Sequence, residues 1–88
     1  MLFMIIEKNR DTNAVYKRFG EKGRMMPEGL NYLASWVELN GNRCFQVMEC
    51  DDSELLQKWE SNWKDIVDFE FIPVLTSKEM SEKMADKI

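Results

Sequence analysis

The side chains that could exchange a proton with a bound molecule are Glu7, Glu49 and Glu70, which all fall in predicted strands. Burial raises the pKa of a carboxyl group toward neutrality, where it can act as a general acid or base. Glu49 is the strongest candidate, because the predicted strand pairing places it beside the Tyr32 hydroxyl group, and these two residues form the predicted catalytic pair. The competing interpretation is a strand-end carboxylate that bonds Tyr32 or Arg24 and reaches water.

A second set of side chains could hold a flat molecule between the sheet and the helices. Arg24 has no obvious local partner, so its guanidinium group could bind an anion through two hydrogen bonds. Gln46 could orient a polar group, and with Ser35 opposite it forms a polar pair that either knits a dimer centre or lines a pocket. For the aromatic members of this set, core packing is the competing interpretation. The remaining candidates for lining such a cavity are Tyr32, Trp36, Trp59, Trp63 and Asn31.

Other polar and sulfur-containing residues have simpler explanations. Arg43 faces Glu38 across the predicted hairpin, and this ion pair accounts for both residues without a ligand. Cys44 and Cys50 lie about 20 Å apart along one predicted strand, too far for a disulfide between them, and we interpret them as small core residues. The chain has two cysteines and no histidine. An ordinary zinc site, a haem-ligating histidine and the commonest general base are therefore missing, and we expect no metal, no cofactor and a reducing cytoplasm.

The elements that must position these side chains follow the order β-α-β-β-α-β. Apolar alternation, helical spacing and turn residues define their limits. Two right-handed crossovers with this order give an α+β, ferredoxin-like fold, in which a four-stranded antiparallel sheet carries both helices on one face. The predicted strands cover residues 2–7, 30–39, 42–50 and 66–74, and the predicted helices cover residues 11–22 and 51 to about 63.

Helix signals mark the remaining parts of the chain. Asp51 or Asp52 can cap the second helix, which carries Trp59 and Trp63 on its apolar stripe. The first helix is expected to turn Ala14, Val15, Tyr16 and Phe19 inward. A capping box at Thr76 and Glu79 opens a peripheral helix with Met80, Met84 and Ile88 on one stripe. We therefore predict one domain over residues 1–75 and a C-terminal helix over residues 76–88.

The central hairpin is predicted from Asn40-Gly41, since both residues tolerate the positive φ of a two-residue turn. That turn pairs Tyr32 with Glu49 and Ser35 with Gln46, unless a one-residue bulge exchanges the faces locally. Both hairpin faces are apolar, and helices can cover only one of them. An apolar sheet face of several hundred Å² marks an interaction site, and a two-fold homodimer is the economical way to cover it.

The sequence also resembles a known family over nearly its whole length to about Thr76. The residues that carry the resemblance are Gly23-Arg24, Pro27-Glu28-Gly29-Leu30, Tyr32, Ser35-Trp36-Val37-Glu38, Arg43-Cys44-Phe45-Gln46, Met48-Glu49-Cys50-Asp51, Trp59, Trp63, Phe69-Glu70 and Pro73-Val74. They are similar to short bacterial proteins of domain-of-unknown-function family 3303. That family resembles the dimeric α/β-barrel superfamily, which includes cofactor-free oxygenases, haem-degrading enzymes and stress-associated proteins. The resemblance implies a homodimer but no reaction.

Composition excludes several partners. The 88-residue chain has 12 basic and 16 acidic residues and a net charge of −4, which repels phosphate backbones and anionic lipid. An RNA-recognition module shares the element order, but the aromatic pattern it needs on the third strand is missing. The N-terminal apolar run is too short for a signal peptide, and no stretch is long enough to span a membrane.

Two functions remain. The leading hypothesis is a homodimer that binds a small hydrophobic or aromatic molecule between sheet and helices, as a cofactor-free, oxygenase-like enzyme. In this hypothesis Glu49 and Tyr32 carry the chemistry, while Trp36, Gln46, Arg24, Trp59 and Trp63 bind the ligand. The rival is a non-enzymatic interaction or stress-associated protein whose core is filled by its own side chains. A cavity with converging polar groups would favour the first, and a packed core the second.

Overall fold

A computed structural model of the chain describes residues 1–87. Its elements follow the predicted order, including the helix at the C-terminal end. The sheet order is β2-β3-β1-β4, and all neighbouring strands are antiparallel, which confirms the ferredoxin-like α+β class. The elements are β1 (Leu2–Asn9), α1 (Thr12–Lys22), β2 (Asn31–Val37), β3 (Arg43–Glu49), α2 (Glu54–Glu60), β4 (Val67–Val74) and α3 (Ser77–Ala85).

Helix α1 begins and ends where its capping residues predict. Asp11 accepts a hydrogen bond from the Ala14 backbone N–H, and Gly23 ends the helix with a φ of +67° while its N–H donates to Phe19. The stripe expected for α1 does face the sheet, since Val15 packs against the core and Tyr16 and Phe19 lie on the same side, but none of these residues is buried. The helix therefore stands off the sheet instead of sealing it.

Helix α2 is shorter than its apolar spacing predicts. The predicted capping by Asp51 or Asp52 is wrong, because the N-cap residue is Ser53 and no side chain caps the helix. Asp52 accepts only a local turn hydrogen bond from the Glu54 N–H. The helix ends at Glu60. Trp59 lies on the helix, whereas Trp63 lies in the turns that follow it. Both indole rings are nonetheless buried in the same core, because the turns continue to wind through Trp63.

Helix α3 has the predicted capping box, in which the Thr76 hydroxyl accepts from the Glu79 N–H and the Glu79 carboxylate accepts from the Thr76 N–H. Met80 and Met84 are about half exposed, as expected for a peripheral helix, and Ile88 lies outside the described residues. The radius of gyration is 14.9 Å, against about 12 Å for a compact chain of this length. Within residues 1–87, no helix has the length and apolar character needed to cross a bilayer.

The hairpin forms with a wider turn than predicted. Residues 39–42 connect the strands, the Glu38 N–H donates to Arg43 O, and the Gly41 N–H donates to Glu38 O to close a β-turn. Gly41 has a φ of +77°, the positive region that motivated the prediction.

A bulge in β2 corrects the predicted strand register. Ser35 pairs with Gln46 as expected, but the register shifts between Tyr32 and Ala34, so Tyr32 pairs with Met48 instead of Glu49. The extra residue, Leu33, inverts which side of the sheet the preceding side chains occupy. Tyr32 and Glu49 therefore lie on opposite faces, and the pairing that supported them as a catalytic pair is wrong.

The two sheet faces differ sharply. The helix-covered face, marked by Phe3, Ile5 and Met48, packs against Trp59 and Trp63 to form the core. The other side of the sheet, which we call the open face, has no fully buried side chain. Its apolar members, assigned by strand alternation, are Leu2, Met4, Ile6, Ala34, Trp36, Phe45, Val47, Ile72 and Val74.

Candidate functional site

A cavity of about 120 Å³ lies between the helix-covered face and helix α1. It exists because α1 stands away from the sheet. Phe19 and Val15 from α1 form one wall, and the two buried indole rings form another. Several polar or sulfur-bearing residues line the cavity, including Glu7, Asn9, Tyr16, Arg24, Ser35, Cys44 and Gln46.

The backbone of Arg24 is fixed by the two tryptophans. The indole N–H groups of Trp59 and Trp63 both donate to the Arg24 carbonyl oxygen, at 3.0 Å each. Met25 follows with a φ of +54°, and its carbonyl accepts from the Asn62 amide at 3.0 Å. The connector between α1 and β2 is thus held by α2 and the turns after it. Trp59 and Trp63, predicted as ligand contacts, line the cavity and also position the predicted anion-binding residue.

The guanidinium group of Arg24 lies between two aromatic rings. It is 3.9 Å from the centroid of Tyr32 and 5.2 Å from that of Phe19, which is cation–π geometry. Within residues 1–87 no carboxylate lies within 4.0 Å of its nitrogen atoms. Arg24 therefore presents a cation held by rings, with its N–H donors available to an anion.

Glu7 and Gln46 form a buried pair on the floor of the cavity. The Gln46 Nε2 group donates to Glu7 Oε2 at 2.5 Å, and only 9% of Glu7 and 5% of Gln46 are exposed. Burial raises the pKa of Glu7, and the hydrogen bond from Gln46, the neighbouring Cys44 thiol and the charge of Arg24 offset this only in part. The Oε1 atom of Gln46 is buried and has no hydrogen-bond partner among the described residues.

Cys44 lies beside Glu7 on the neighbouring strand. Burial, followed by the adjacent carboxylate, raises the pKa of its thiol to about 12. A thiol with that pKa remains protonated at neutral pH, so it is a poor nucleophile. Cys44 is half-buried and lines the cavity, so it lies outside the core cluster, whereas Cys50 is buried in the core as predicted.

Tyr32 is on the cavity side of the sheet because of the bulge. Its hydroxyl group is 2.5 Å from the Ser35 hydroxyl, and its ring lies under Arg24. Ser35 therefore lines the cavity, which is one of the two roles expected for the Ser35 and Gln46 pair.

Several predicted residues lie elsewhere. Trp36 is 59% exposed on the open face, because its position in β2 alternates with that of Ser35, and it does not line the cavity. Glu49 accepts a hydrogen bond from the Asn31 amide at 3.0 Å and lies 3.6 Å from the N-terminal ammonium group. Its carboxylate therefore bonds neither Arg24 nor Tyr32. Glu70 is exposed on β4.

The Arg43 side chain binds Glu38 through two hydrogen bonds of 2.7 and 3.0 Å, which supports the ion-pair interpretation. Among the described residues no group of three or more His, Cys, Asp or Glu side chains is arranged to hold a metal ion.

The sequence of β1 carries a signal that favours Glu7 over Glu49 as the buried carboxyl group. Phe3, Ile5 and Glu7 alternate along β1, and the first two are plainly core residues. Extending that alternation by two positions places Glu7 on the helix-covered face.

Comparison with known proteins gives a family but no activity. The model of the family described as a domain of unknown function, DUF3303, matches residues 1–88. The chain belongs to this family. The match includes the C-terminal helix, beyond the limit near Thr76 that the quoted motifs suggested. A search of curated proteins finds no significant match.

Proposed function

We propose that this DUF3303 protein binds a small, partly aromatic molecule in the cavity between α1 and the sheet. The ligand carries an anionic group for Arg24 and a hydrogen-bond donor for Gln46. The observation that carries this proposal is the buried Oε1 atom of Gln46, which lacks a partner in the described part of the chain.

A buried amide oxygen without a donor is costly, at about 1–3 kcal/mol. Rotating the Gln46 amide group by 180° still leaves a polar group unpaired. The amide oxygen would then face Glu7 and could bond it only if Glu7 were protonated, and the amide N–H groups would need new acceptors. In either orientation one polar group of this cavity-lining residue is left unpaired. A small rotation of the Gln46 side chain toward the cavity would let a ligand hydroxyl or amide group satisfy it.

Arg24 and its surroundings define the rest of the ligand. The aromatic walls suit a flat ring, and the guanidinium group suits a carboxylate. Cavities of about 150 Å³ can hold benzene, so a volume of about 120 Å³ with an open side suits a single ring with short substituents. The superfamily resemblance adds cofactor-free, oxygenase-like chemistry as a reaction to assay on such a ligand.

Binding of benzoate and 4-hydroxybenzoate tests the proposal, with tryptophan fluorescence and calorimetry as readouts. Wild-type protein should bind 4-hydroxybenzoate more tightly than benzoate, since only the former brings a donor for Gln46. Arg24→Met should weaken both at least about tenfold, the effect of one charge-assisted hydrogen bond. Lys22→Met is the matched control, because Lys22 is an exposed cation at the end of α1 outside the cavity lining.

Two results together would overturn the binding proposal. They are the absence of saturable binding of aromatic acids at millimolar concentration, and native mass spectrometry that finds no co-purifying small molecule. The rival, a non-enzymatic protein whose core is filled by its own side chains, would then stand.

The open face supports a second proposal, that two copies of the chain pack through it. It carries apolar side chains from all four strands, including Trp36, Phe45 and Ile72. The accessible surface of the chain is 6148 Å², against about 5,400 Å² for a monomeric protein of this mass. A second copy of the same flat face is the occupant that matches it in size and apolar character.

A further inference from the structure

The environment of Glu7 is unfavourable for the charged form of its carboxyl group. It is buried, its hydrogen bond comes from a neutral amide, and no cation in residues 1–87 lies within 4.0 Å of it. The charged form of such a group is costly because desolvation is not repaid by an ion pair. A leucine or glutamine would serve packing better at this position, and carboxyls held in this way are typical of sites that transfer protons.

The position of Glu7 relative to Arg24 gives the geometry of a reaction. Both residues line the same cavity, with Arg24 held between Phe19 and Tyr32 and Glu7 on the strand floor beside Gln46. A ligand anchored by its carboxylate at Arg24 and stacked along the aromatic wall would present its acidic C–H or O–H group to the floor. The acid/base role predicted for Glu49 beside Tyr32 therefore falls to Glu7, which lines the cavity together with Arg24.

We propose that Glu7 is the proton-transfer residue of this cavity, and that it acts on enolisable aromatic 2-oxo acids whose carboxylate binds Arg24. This inference rests on the proposed function, since it requires the cavity to bind an aromatic acid.

The step needs no oxidant or cofactor. The Glu7 carboxylate takes a proton from the carbon next to the keto group, and the electron pair of that C–H bond forms a carbon–carbon double bond. The carbonyl π electrons move to oxygen, which gives an enolate near the cation of Arg24. Return of a proton from Glu7 to carbon restores the keto acid, and in D₂O this proton is replaced by solvent deuterium first. Alternatively, water protonates the enolate oxygen to give the enol, and the hydroxide left behind takes the proton from Glu7 and regenerates its carboxylate.

Few other titratable groups face Glu7. Cys44 lies beside it on β3, Arg24 faces it from the connector, and Tyr16 of α1 lines the same cavity. Its β4 neighbour is Phe69, which is apolar. A pH profile of proton transfer therefore reports on Glu7 with little interference, and activity should rise with pH and level off above the raised pKa of this carboxyl.

Proton NMR in D₂O tests the inference with phenylpyruvate, whose C3 protons exchange through the enol. Benzoylformate is the matched ligand for binding, because it is an aromatic 2-oxo acid without a hydrogen on the carbon next to the keto group. Wild-type protein should bind both and accelerate exchange of phenylpyruvate. Glu7→Gln should bind both within about threefold and lose at least about 100-fold of the acceleration, the usual contribution of a general base. Glu82→Gln, on exposed α3, is the control.

The outcomes separate this inference from the binding proposal. If wild-type protein binds both acids without accelerating exchange, or if Glu7→Gln keeps the acceleration, the role of Glu7 is wrong and the binding site stands. If benzoate binds but neither 2-oxo acid does, the substrate class is wrong. If no aromatic acid binds, both proposals fail. Glu7→Asp provides a second variant, in which partial activity with an unchanged plateau shape supports a carboxylate base.

Discussion

At the residue scale, the most distinctive feature is a buried carboxyl group that accepts a hydrogen bond from a buried amide group. Glu7 and Gln46 are the two buried polar residues in the described core, and they bond to each other. Glu49, by contrast, has ordinary surface partners in Asn31 and the N-terminal ammonium group. A carboxyl becomes chemically distinctive through desolvation more than through the presence of a neighbouring hydroxyl group.

Glu7→Gln should stabilise the protein at neutral pH. Because burial raises the pKa of Glu7 above its ordinary value of 4.5, its contribution to stability is complete below that value and is lost as pH rises through the folded-state pKa. We expect the variant to gain about 0.5–2 kcal/mol in free energy of unfolding at pH 7, the usual size of a single stabilising substitution. The gain should nearly vanish at pH 4.

Urea denaturation of wild type, Glu7→Gln and the exposed control Glu82→Gln at both pH values measures this difference. A Glu7→Gln protein that is less stable than wild type at pH 7 would mean that the charge of Glu7 is compensated in the fold. Desolvation would then not determine the effect of Glu7 on stability.

At the element scale, the connector between α1 and β2 is fixed through its backbone. One carbonyl, that of Arg24, receives both tryptophan N–H groups. Helix α1 is held to the turns after α2 by Arg18, which makes two hydrogen bonds of 2.7 and 2.8 Å to Asp65 and lowers the pKa of that carboxyl to about 2. That ion pair contributes above the ordinary pKa of Asp65 and is lost as pH falls through about 2. The elements around the cavity are therefore held together mainly by hydrogen bonds and an ion pair, because no residue of α1 is fully buried.

Trp59→Phe and Trp63→Phe should not be additive. Each single variant leaves the partly buried Arg24 carbonyl with one indole donor, whereas the double variant removes both. We expect the double variant to lose about 0.5–2 kcal/mol more free energy of unfolding than the two single losses combined.

A double-mutant cycle by urea denaturation measures this coupling. The cycle of Trp36→Phe with Trp59→Phe is the control, and it should be additive within about 0.5 kcal/mol, since Trp36 lies across the sheet. Additivity in the Trp59 and Trp63 cycle would mean that the shared carbonyl does not link the two rings energetically.

At the scale of the whole molecule, one sheet has two apolar faces and only one set of helices. The principal dimensions are 50 × 30 × 17 Å, so the open face is broad relative to the thickness of the molecule. Exposed apolar patches of this kind mark interaction surfaces. The proposed dimer would bury this face while leaving the cavity on the far side of each sheet.

Trp36→Glu should shift the protein toward monomer. A charge at the centre of a paired apolar face would be desolvated without a partner, which typically costs several kcal/mol. We expect sedimentation equilibrium at micromolar concentration to show a dimer for wild type and a dissociation constant raised at least about 100-fold for the variant.

Leu39→Glu is the matched control for this experiment, because Leu39 is a fully exposed apolar residue in the hairpin turn, outside the open face. It should leave the association unchanged. A wild-type chain that sediments as a monomer at these concentrations would refute the proposed dimer directly.

The sequence by itself determined the local elements and their order. Asp11 and Gly23 define the ends of α1, and Thr76 with Glu79 opens α3, because caps act through backbone groups within a few residues. The alternating strands and the short connections then leave the ferredoxin-like order as the economical arrangement. Family membership also follows from the sequence alone.

Only the tertiary structure decided which polar residues share the cavity. The bulge at Leu33 moves Tyr32 to the side of Arg24 and away from Glu49, and its position depends on packing across the sheet. Side-chain direction alternates with every residue, so a register shift of one position reverses the faces. The alternation of β1 places Glu7 on the helix-covered face, but the depth of its burial depends on the packing of Gln46 and the other cavity residues around it.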